Sequence, residues 1–347
     1  MKRIYSIFFS LLLGLTVIRA AVLVGRTEGN LSVSQTGAAT YTIPLNLQPG
    51  ISDFVPQLSL SYNSQSGNGL AGYGWNVSGL SAISIAPRNV WFDGTAECIY
   101  RGEDNVYYID GMRLLLVSGL NGQAGAVYRT ENEQYSRIEI TSMLDETPAT
   151  FTVKTTDGTI YKYGNSTGRL HLNASEAYQW TLDYAEDRLG NYITYTYAQE
   201  GMLYPTLVSY GRNVHGDKGV TCTVTFSYES RTDSLPTYLF GTRGNCSRRL
   251  KSITCKYDGN TYRTYTLAYD EGTFSHLHSV TEGGTSSASY SPTVFTWQDF
   301  PAWNIVESNC SLEPYIVNED FSEQYFFTAD TDNDGVSEIV GLYNTDI

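Results

Sequence analysis

The sequence has few cysteines and few basic residues. The first argues against one kind of metal site, and the second argues against one class of partner. Its 347 residues include five cysteines, which are Cys98, Cys222, Cys246, Cys255 and Cys310. No two of them have Cys-x-x-Cys spacing, which argues against a structural zinc site. Lys and Arg total 22 against 36 Asp and Glu, for a formal net charge of −14. So acidic a chain repels phosphate backbones and anionic lipid, and we expect no nucleic-acid partner.

Recognisable catalytic motifs are also missing. The sequence contains no Gly-x-Ser-x-Gly, no His-Glu-x-x-His and no phosphate-binding loop pattern. Of its four histidines, His276 and His278 alternate along a predicted strand, where we expect surface positions rather than ligand roles. We therefore predict that the chain is not an enzyme. A glycan hydrolase with carboxylates far apart in sequence stays open as an alternative.

The first twenty residues have the features of a secretory signal peptide. Lys2 and Arg3 form the charged start, Ile4 to Ile18 the apolar core, and cleavage is expected between Ala20 and Ala21. The apolar run is short for a membrane span, although an uncleaved anchor is the alternative. No other apolar run reaches membrane length. We expect a secreted, cell-surface or periplasmic protein with no stable membrane insertion after cleavage.

An odd number of cysteines in an exported protein leaves at least one thiol without a partner inside the chain. Cys246 and Cys255 flank a predicted turn and are candidates for a disulfide. The pairing of the others is open.

Alternating apolar residues and glycine turns recur through most of the chain. Three Asp-Gly pairs separate alternating runs, at Asp110-Gly111, Asp157-Gly158 and Asp258-Gly259. Such pairs favour type I′ hairpin turns, which need positive φ at both central residues. A longer loop at 187–191 separates a further pair of runs. With 28 tyrosines, a residue that suits pleated surfaces, the pattern predicts an all-β, hairpin-rich domain.

The stretch Gly29–Ile85 is the most organised part of the sequence. Proline and glycine separate its short alternating runs, and a glycine-dense segment, Ser66–Gly74, follows them. We call this segment the glycine loop. We expect its glycines to let a strand dock closely against another part of the chain, rather than to cradle a ligand.

The same stretch resembles a known family. Its segments GAATYTIPLNLQPG and PQLSLSYNSQSGNGLAGYGWNVSGLSAI are similar to the opening of the SpvB-type family. That family includes the N-terminal part of the B component (TcdB-like) of insecticidal toxin complexes and related RHS-repeat proteins. Later segments also match, among them Tyr108–Leu114 and Ser291–Trp297, so the resemblance extends from Gly29 to Trp297.

The resemblance implies a non-enzymatic, structural role. The chain would be part of a shell or carrier for a C-terminal toxin, and its partners would be other domains or subunits of that complex. Some members carry an ADP-ribosyltransferase with an ordered Arg, Ser-Thr-Ser and Glu-x-Glu set. Here the only Glu-x-Glu, at 131–133, precedes the serine-rich segment at 286–289, so that domain is expected to be absent.

The C-terminal residues contain a candidate metal loop. Its predicted ligands are Asp330, Asp332, Asp334, the Val336 carbonyl and Glu338. Carboxylates at positions one, three and five with glycine at six converge on a hard cation when the loop curls, so we predict Ca²⁺ as a cofactor. Strand-like residues on both sides resemble the FG-GAP or VCBS repeat of β-propellers. A solvated acidic turn is the alternative.

These features predict four segments: a signal peptide at 1–20, an all-β SpvB-like domain at 21–298, a linker at 299–324, and the first, incomplete blade of a β-propeller at 325–347. A single blade does not bury its own faces, so the sequence is expected to be a fragment or a truncated product. A secreted surface adhesin or carbohydrate-binding protein is the main alternative function, because aromatic-rich β-surfaces suit glycans.

Overall fold

The computed structural model is almost entirely β-structure. The residues that it describes are 25–96, 105–145, 147–165, 167–171, 177–216, 221–234, 236–239, 242–285, 288–298, 325–329 and 338–342. The predicted all-β class is confirmed.

The opening stretch forms a small antiparallel sheet. Its strands are β1 (Asn30–Val33), β2 (Ala39–Pro44), β3 (Ser59–Asn63) and β6 (Trp75–Ser78). They lie side by side in that order. Within the glycine loop, β4 (Asn68–Gly69) and β5 (Gly72–Tyr73) pair with each other. A single 3₁₀ turn at Ile51–Asp53 interrupts the connection from β2 to β3.

Eight further strands close into a barrel. They are β7 (Ala82–Ala86), β8 (Val106–Ile109), β9 (Met112–Ser118), β10 (Val127–Thr130), β11 (Arg137–Leu144), β12 (Thr147–Lys154), β13 (Ile160–Tyr163) and β15 (Ala177–Glu186). Neighbours pair antiparallel from β7 to β13, and β15 pairs with both β13 and β7, which closes the ring. A short strand, β14 (Arg169–His171), also pairs with β15.

An open sheet continues from the barrel. Its strands are β16 (Asn191–Gln199), β17 (Leu203–Asn213), β18 (Cys222–Ser230), β21 (Arg248–Tyr257), β22 (Asn260–Asp270), β23 (His276–Gly283) and β24 (Thr293–Val294). The far end of β15 pairs with β16, so barrel and open sheet form one hydrogen-bonded set of sixteen strands. A separate hairpin, β19 (Pro236–Leu239) with β20 (Thr242–Asn245), lies between β18 and β21 in the chain.

Two Asp-Gly turns have the backbone that their sequence favours. Between β8 and β9, Asp110 and Gly111 have φ of 48° and 83°. Between β21 and β22, Asp258 and Gly259 have φ of 48° and 75°. Both residues of each pair are left-handed, as a type I′ turn requires. The third predicted pair differs, because between β12 and β13 only Gly158 has a positive φ, of 88°, and Asp157 does not.

The opening sheet and the loop after β2 cover one face of the open sheet. The Tyr265 hydroxyl accepts a hydrogen bond from the Asn46 backbone N–H at 2.8 Å, and the Tyr210 hydroxyl donates to the Gln48 carbonyl, also at 2.8 Å. Buried side chains of both sheets belong to one apolar core, with Ile43 and Leu60 from the opening sheet fully buried. The core therefore has a sandwich half and a barrel half.

The barrel is filled at one level by four aromatic side chains, Tyr107, Tyr128, Phe151 and Trp180. Their neighbouring ring centroids are 5.0–5.9 Å apart in edge-to-face arrangements. The Trp180 indole N–H donates to the Pro148 carbonyl at 3.0 Å, so its polar atom is satisfied inside the core.

Among the described residues, α-helix is confined to the single turn α1 (Val90–Asp93), which the Asn89 side chain caps by accepting from the Phe92 N–H at 3.0 Å. Within the described ranges no helix is long and apolar enough to cross a membrane.

By its internal contacts the chain divides after Trp297. In the second unit, β25 (Tyr325–Ala329) and β26 (Glu338–Leu342) form an antiparallel hairpin with Ala329 opposite Glu338. The predicted linker at 299–324 lies outside the described residues, and the propeller blade stays a prediction.

The glycine loop offers a test of close docking. A Cβ added to Gly72 would lie 2.6 Å from the Ser275 carbonyl oxygen, and Gly72 has φ of 101°. We expect Gly72→Ala to lower the free energy of unfolding by at least ~1–3 kcal/mol, the usual cost of such a backbone conformation alone. Urea unfolding followed by tryptophan fluorescence measures it.

Gly67→Ala is the matched control, because nothing lies within 4 Å of its added Cβ and its φ is not left-handed. Equal destabilisation by the two substitutions would show that the loop does not dock as described.

Candidate functional site

The glycine loop is fixed to the open sheet by a buried ion pair. After β18 ends, the Arg231 guanidinium donates to the Asp233 carboxylate through Nε at 2.8 Å and Nη2 at 2.9 Å. The same guanidinium donates to the Gly69 carbonyl at 2.7 Å and to the Asn68 side-chain oxygen. Both charged side chains are at least 98% buried. One guanidinium thus holds two parts of the chain that are about 160 residues apart.

Asp233 in turn connects the loop to the start of β23. Its carboxylate accepts from the Asn68 side-chain N–H at 2.9 Å, from the Ser275 backbone N–H at 2.6 Å and from the Ser275 hydroxyl at 2.8 Å. The Ser275 hydroxyl also accepts from Arg249 at 2.8 Å, and Arg249 pairs with Glu229 and Glu271. We call Asn68, Arg231, Asp233, Arg249 and Ser275 the ion cluster.

The cluster perturbs the acidity of its central carboxyl. Burial by itself raises the pKa of Asp233, but hydrogen bonds from Arg231, Ser275 and Asn68 outweigh burial and hold the pKa well below its usual value of 3.8. The folded protein therefore keeps Asp233 charged over the whole neutral and mildly acidic range. Such a saturated carboxylate has no free lone pairs aimed at solvent, which suits anchoring better than proton transfer.

Backbone contacts complete the docking. The Tyr73 N–H donates to the Ser275 carbonyl at 2.9 Å, and the Leu250 N–H donates to the Leu70 carbonyl at 2.7 Å. A Cβ at Gly69 would lie 2.2 Å from the Trp75 carbonyl oxygen, so only glycine fits there. The predicted role of the loop, close docking of backbone, is what the structure shows.

A second set of contacts joins the opening sheet, near the start of the sequence, to residues after β24. Trp75 of β6 packs on Phe295 with ring centroids 4.9 Å apart, and Tyr62 of β3 packs on Trp297 at 5.3 Å. The Trp297 indole N–H donates to the Leu277 carbonyl at 2.9 Å. Segments that resemble the SpvB-type family at both ends of the sequence therefore meet in one aromatic cluster.

A cavity of about 640 Å³ lies at one mouth of the barrel. Apolar walls come from Val153, Leu182 and Ile193, and polar atoms come from Ser81 and Tyr163. The Ser81 hydroxyl lies 2.9 Å from the Tyr163 hydroxyl and donates to Asp110 at 2.7 Å. Volume and lining fall in the range of small-molecule sites. The polar groups named satisfy one another, so they do not by themselves call for a ligand.

A comparison with protein-family models supports the family resemblance of the opening stretch. Residues 33–90 match the SpvB family model, described as Salmonella virulence plasmid 65kDa B protein. No curated protein sequence matches the chain. The matched segment begins in β1, includes the glycine loop and ends in α1.

Solved structures share the fold at low sequence identity. The TcdB2-TccC3 crystal structure has a TM-score of 0.66 at 17% identity, covering 81% of this chain and 18% of that one. The N-terminal domain of effector protein SpvB from Salmonella typhimurium strain LT2 has a TM-score of 0.57 at 18% identity, covering 70% of this chain and 98% of that one. The Photorhabdus luminescens Tc holotoxin pore has a TM-score of 0.58 at 17% identity, covering 74% and 15%.

This chain has the SpvB N-terminal fold. It spans about a fifth of the TcdB2-TccC3 chain that it matches. The resemblance predicted from the sequence is confirmed for the fold and for residues 33–90, whereas the FG-GAP or VCBS resemblance of the C-terminal residues stays a prediction.

Four of the five predicted metal ligands are at positions that the structure does not describe. Asp330, Asp332, Asp334 and Val336 lie outside the described residues, and Glu338 is the first residue of β26. Within the described part of the chain no three His, Cys, Asp or Glu side chains are grouped to hold a metal ion.

The candidate disulfide between Cys246 and Cys255 does not form, because both are free thiols. Cys255 faces the buried core, and burial raises the pKa of its thiol to about 12. Cys246 instead lies 3.6 Å from Arg231 in the ion cluster. His276 stacks beside Trp297 and His278 pairs with Asp270 at 3.0 Å, so the two rings have separate packing roles.

Sequence reasoning missed the ion cluster. The segment Arg231-Thr-Asp233 follows directly after β18, where the alternation of apolar residues stops. The available signal was a pair of opposite charges, separated by one residue, at the end of a strand.

The ion cluster predicts a specific loss of stability. Asp233→Asn leaves the Arg231 guanidinium buried without its counter-charge, and we expect the free energy of unfolding to fall by about 3–5 kcal/mol. Glu139→Gln is the control, because its pair with Arg137 is open to solvent, with 55% of the Arg137 and 31% of the Glu139 side chain exposed, and surface pairs contribute ~0–1 kcal/mol. Urea unfolding at pH 7 compares the two.

The pH dependence has a definite sign. Since the folded pKa of Asp233 lies below 3.8, its contribution is present above about pH 4 and is lost as the pH falls from there toward the folded value. The wild type should therefore lose more stability than Asp233→Asn between pH 5 and pH 3. Parallel losses in the two proteins would contradict the assignment.

Proposed function

We propose that this chain is a non-enzymatic structural module in the wall of an exported shell that carries a toxin. The observation that carries the proposal is the fold, shared over 81% of the chain with TcdB2-TccC3. A further match is named as a Tc holotoxin pore, and another as the N-terminal domain of an effector protein. The partners would then be other domains or subunits of such an assembly.

The architecture suits a wall. Barrel and open sheet share β15, so backbone hydrogen bonds run without a break across sixteen strands. Closure of the barrel removes free strand edges, which otherwise template unwanted pairing. The ion cluster and the aromatic cluster then lock the opening sheet to the open sheet. These features support rigidity rather than turnover.

Export through residues 1–20 is part of the proposal. Export would bring the chain into an oxidising compartment, where exposed thiols react. Two of the three described cysteines, Cys222 and Cys255, are buried in the core, which is compatible with export. Burial keeps such thiols protonated and out of reach of exchange.

The test is electron cryo-microscopy of the complete secreted product that contains this chain. We expect a closed, hollow particle in which the barrel and the sandwich form part of the wall. Asp233→Asn should make the enclosed residues sensitive to added protease, while Glu139→Gln should leave them protected. A solid particle, or protection unaffected by either substitution, would refute the shell function.

We also propose that the C-terminal loop binds Ca²⁺. The β25–β26 hairpin supports this, because its paired ends at Ala329 and Glu338 bring the start and finish of the acidic segment together. Asp330, Asp332, Asp334, the Val336 carbonyl and Glu338 would supply the oxygen ligands that a hard cation prefers.

Calorimetry with Ca²⁺ tests the metal proposal on a chain extended through any following repeats. We expect binding heat that Asp332→Ala abolishes, since it removes a central carboxylate. Asp270→Ala, which changes a carboxylate outside the loop, is the control. Heat that persists unchanged in Asp332→Ala, or no heat at all, would rule out the loop as the site.

A further inference from the structure

The cavity at the barrel mouth has unused hydrogen-bonding groups besides Ser81 and Tyr163. Its walls come from the ends of barrel strands, from β16, and from two segments of the opening stretch around Val55 and Gly79. These segments and their neighbours in sequence lie within the described ranges. The mouths of β-barrels are frequent sites of small-molecule binding.

Three hydroxyl groups of this wall make no hydrogen bond to any described residue. They belong to Ser136, which precedes β11, to Tyr161 of β13 and to Tyr195 of β16. Ser136 is 8% and Tyr195 is 6% exposed, so bulk solvent reaches little of either side chain. None of the three oxygens is fully enclosed by protein, so each keeps surface open to a molecule in the cavity. Because buried polar groups are almost always paired, these hydroxyls favour a polar occupant.

The strand register directs the two tyrosines to the same space. Tyr161 is opposite Val153 on β12 and Ala185 on β15, which both line the cavity. Residues directly opposite each other have side chains on one face of a sheet, so Tyr161 points into the barrel with them. Ile193 is opposite Ala185 in turn, and Tyr195 lies two residues further along the same face. Burial and the nearby Tyr161 raise the pKa of Tyr195, so its hydroxyl stays protonated and able to donate at neutral pH.

The carboxylate among the described lining residues is already paired. Asp110 accepts from the Ala82 N–H at 2.9 Å and from the Ser81 hydroxyl at 2.7 Å. The described lining residues include no Lys, Arg or His. An anion would therefore find no counter-charge there, and a cation would compete with two existing hydrogen bonds. The cavity favours a neutral ligand.

Large apolar side chains form much of the remaining wall, among them Phe54, Leu80, Met112, Leu182 and Ile193. Water alone would pair the free hydroxyls but would gain nothing from these surfaces, whereas an apolar body would remove them from water. Aromatic rings pack favourably on one another in offset or edge-to-face arrangements, and Phe54 and the tyrosines supply such rings. The lining therefore suits a ring that carries a hydroxyl group.

We propose that the cavity at the barrel mouth binds a neutral aromatic alcohol of the phenol class. Its ring would lie against the apolar wall, and its hydroxyl group would pair with Tyr195 and Tyr161. One hydroxyl both donates and accepts, so it serves two tyrosine hydroxyls together. The volume of about 640 Å³ lies within the range of small-molecule sites and accommodates a bicyclic ring. This binding activity goes beyond the proposed shell function and does not depend on it.

Saturation-transfer NMR and calorimetry on the full chain test the proposal, with 2-naphthol, 2-naphthoate and glucose as probes. We expect 2-naphthol to bind. The carboxylate analogue should bind at least ~10-fold more weakly, because entering the cavity would strip water from its charge without supplying a cation. Glucose should not bind, because it has no apolar ring face large enough for this wall.

Tyr195→Phe removes one free hydroxyl and keeps the ring. Because that hydroxyl makes no hydrogen bond to the described residues, the substitution should leave the midpoint of urea unfolding unchanged. It should nevertheless weaken 2-naphthol ~10-fold, the usual effect of one lost hydrogen bond. Ser136→Ala is a second variant in the same wall, and we expect it to weaken binding in the same direction.

Tyr184→Phe is the matched control, since Tyr184 lies on β15 outside the cavity wall and its hydroxyl donates to Glu186 at 2.6 Å. It should leave the affinity for 2-naphthol unchanged. No binding of 2-naphthol, equal affinity in Tyr195→Phe and Tyr184→Phe, or preferential binding of 2-naphthoate or glucose would each overturn the proposal.

Discussion

The buried pair of Arg231 and Asp233 is the interaction on which the sandwich half depends. Removing two charges from water is costly, and only complete hydrogen bonding and mutual attraction offset that cost. Here Asn68, Gly69 and Ser275 supply the remaining partners. A shift of the glycine loop would remove the hydrogen bonds that Asn68 and Gly69 make to this buried pair, so the pair favours one position of the loop more strongly than apolar packing would. The glycines matter for the same reason, since they let backbone carbonyls approach the guanidinium.

The barrel and the sandwich are coupled through a single strand. β15 closes the barrel with β7 and β13, and its far end begins the open sheet through β16. A strand that serves both halves transmits strain between them, because its backbone hydrogen bonds are common to both. This arrangement explains how a domain with almost no helix stays one unit up to Trp297. The family match, residues 33–90, likewise includes parts of both halves, since it extends from the opening sheet through the first barrel strand.

Local features of the fold were predictable and its closure was not. Alternation and the Asp-Gly pairs at 110–111 and 258–259 indicated hairpins, because turn chemistry and strand period are encoded within a few residues. The pairing of β13 with β15 and the docking of the loop on Ser275 join residues far apart, and alternation carries no information about which strands meet. Cys246 and Cys255 were candidates for a disulfide because they flank a predicted turn, but Cys255 lies within β21 and faces the core, while Cys246 faces Arg231. The ion cluster had a faint signal only, a charge pair at a strand end.

The two halves of the domain satisfy their buried polar groups in different ways. In the sandwich half, the ion cluster satisfies the hydrogen-bonding groups of its two central side chains together, so several parts of the chain depend on one pair of charges. In the barrel half, two of the aromatic side chains that fill the barrel are satisfied one by one: the Trp180 indole N–H donates to the Pro148 carbonyl, and the Tyr128 hydroxyl donates to Asn121 and accepts from the Gly122 N–H. A buried polar group left unpaired costs about 1–3 kcal/mol, and more when it is charged. A single substitution is therefore expected to have wider consequences in the sandwich half than in the barrel half, because there one lost charge leaves several groups without a partner.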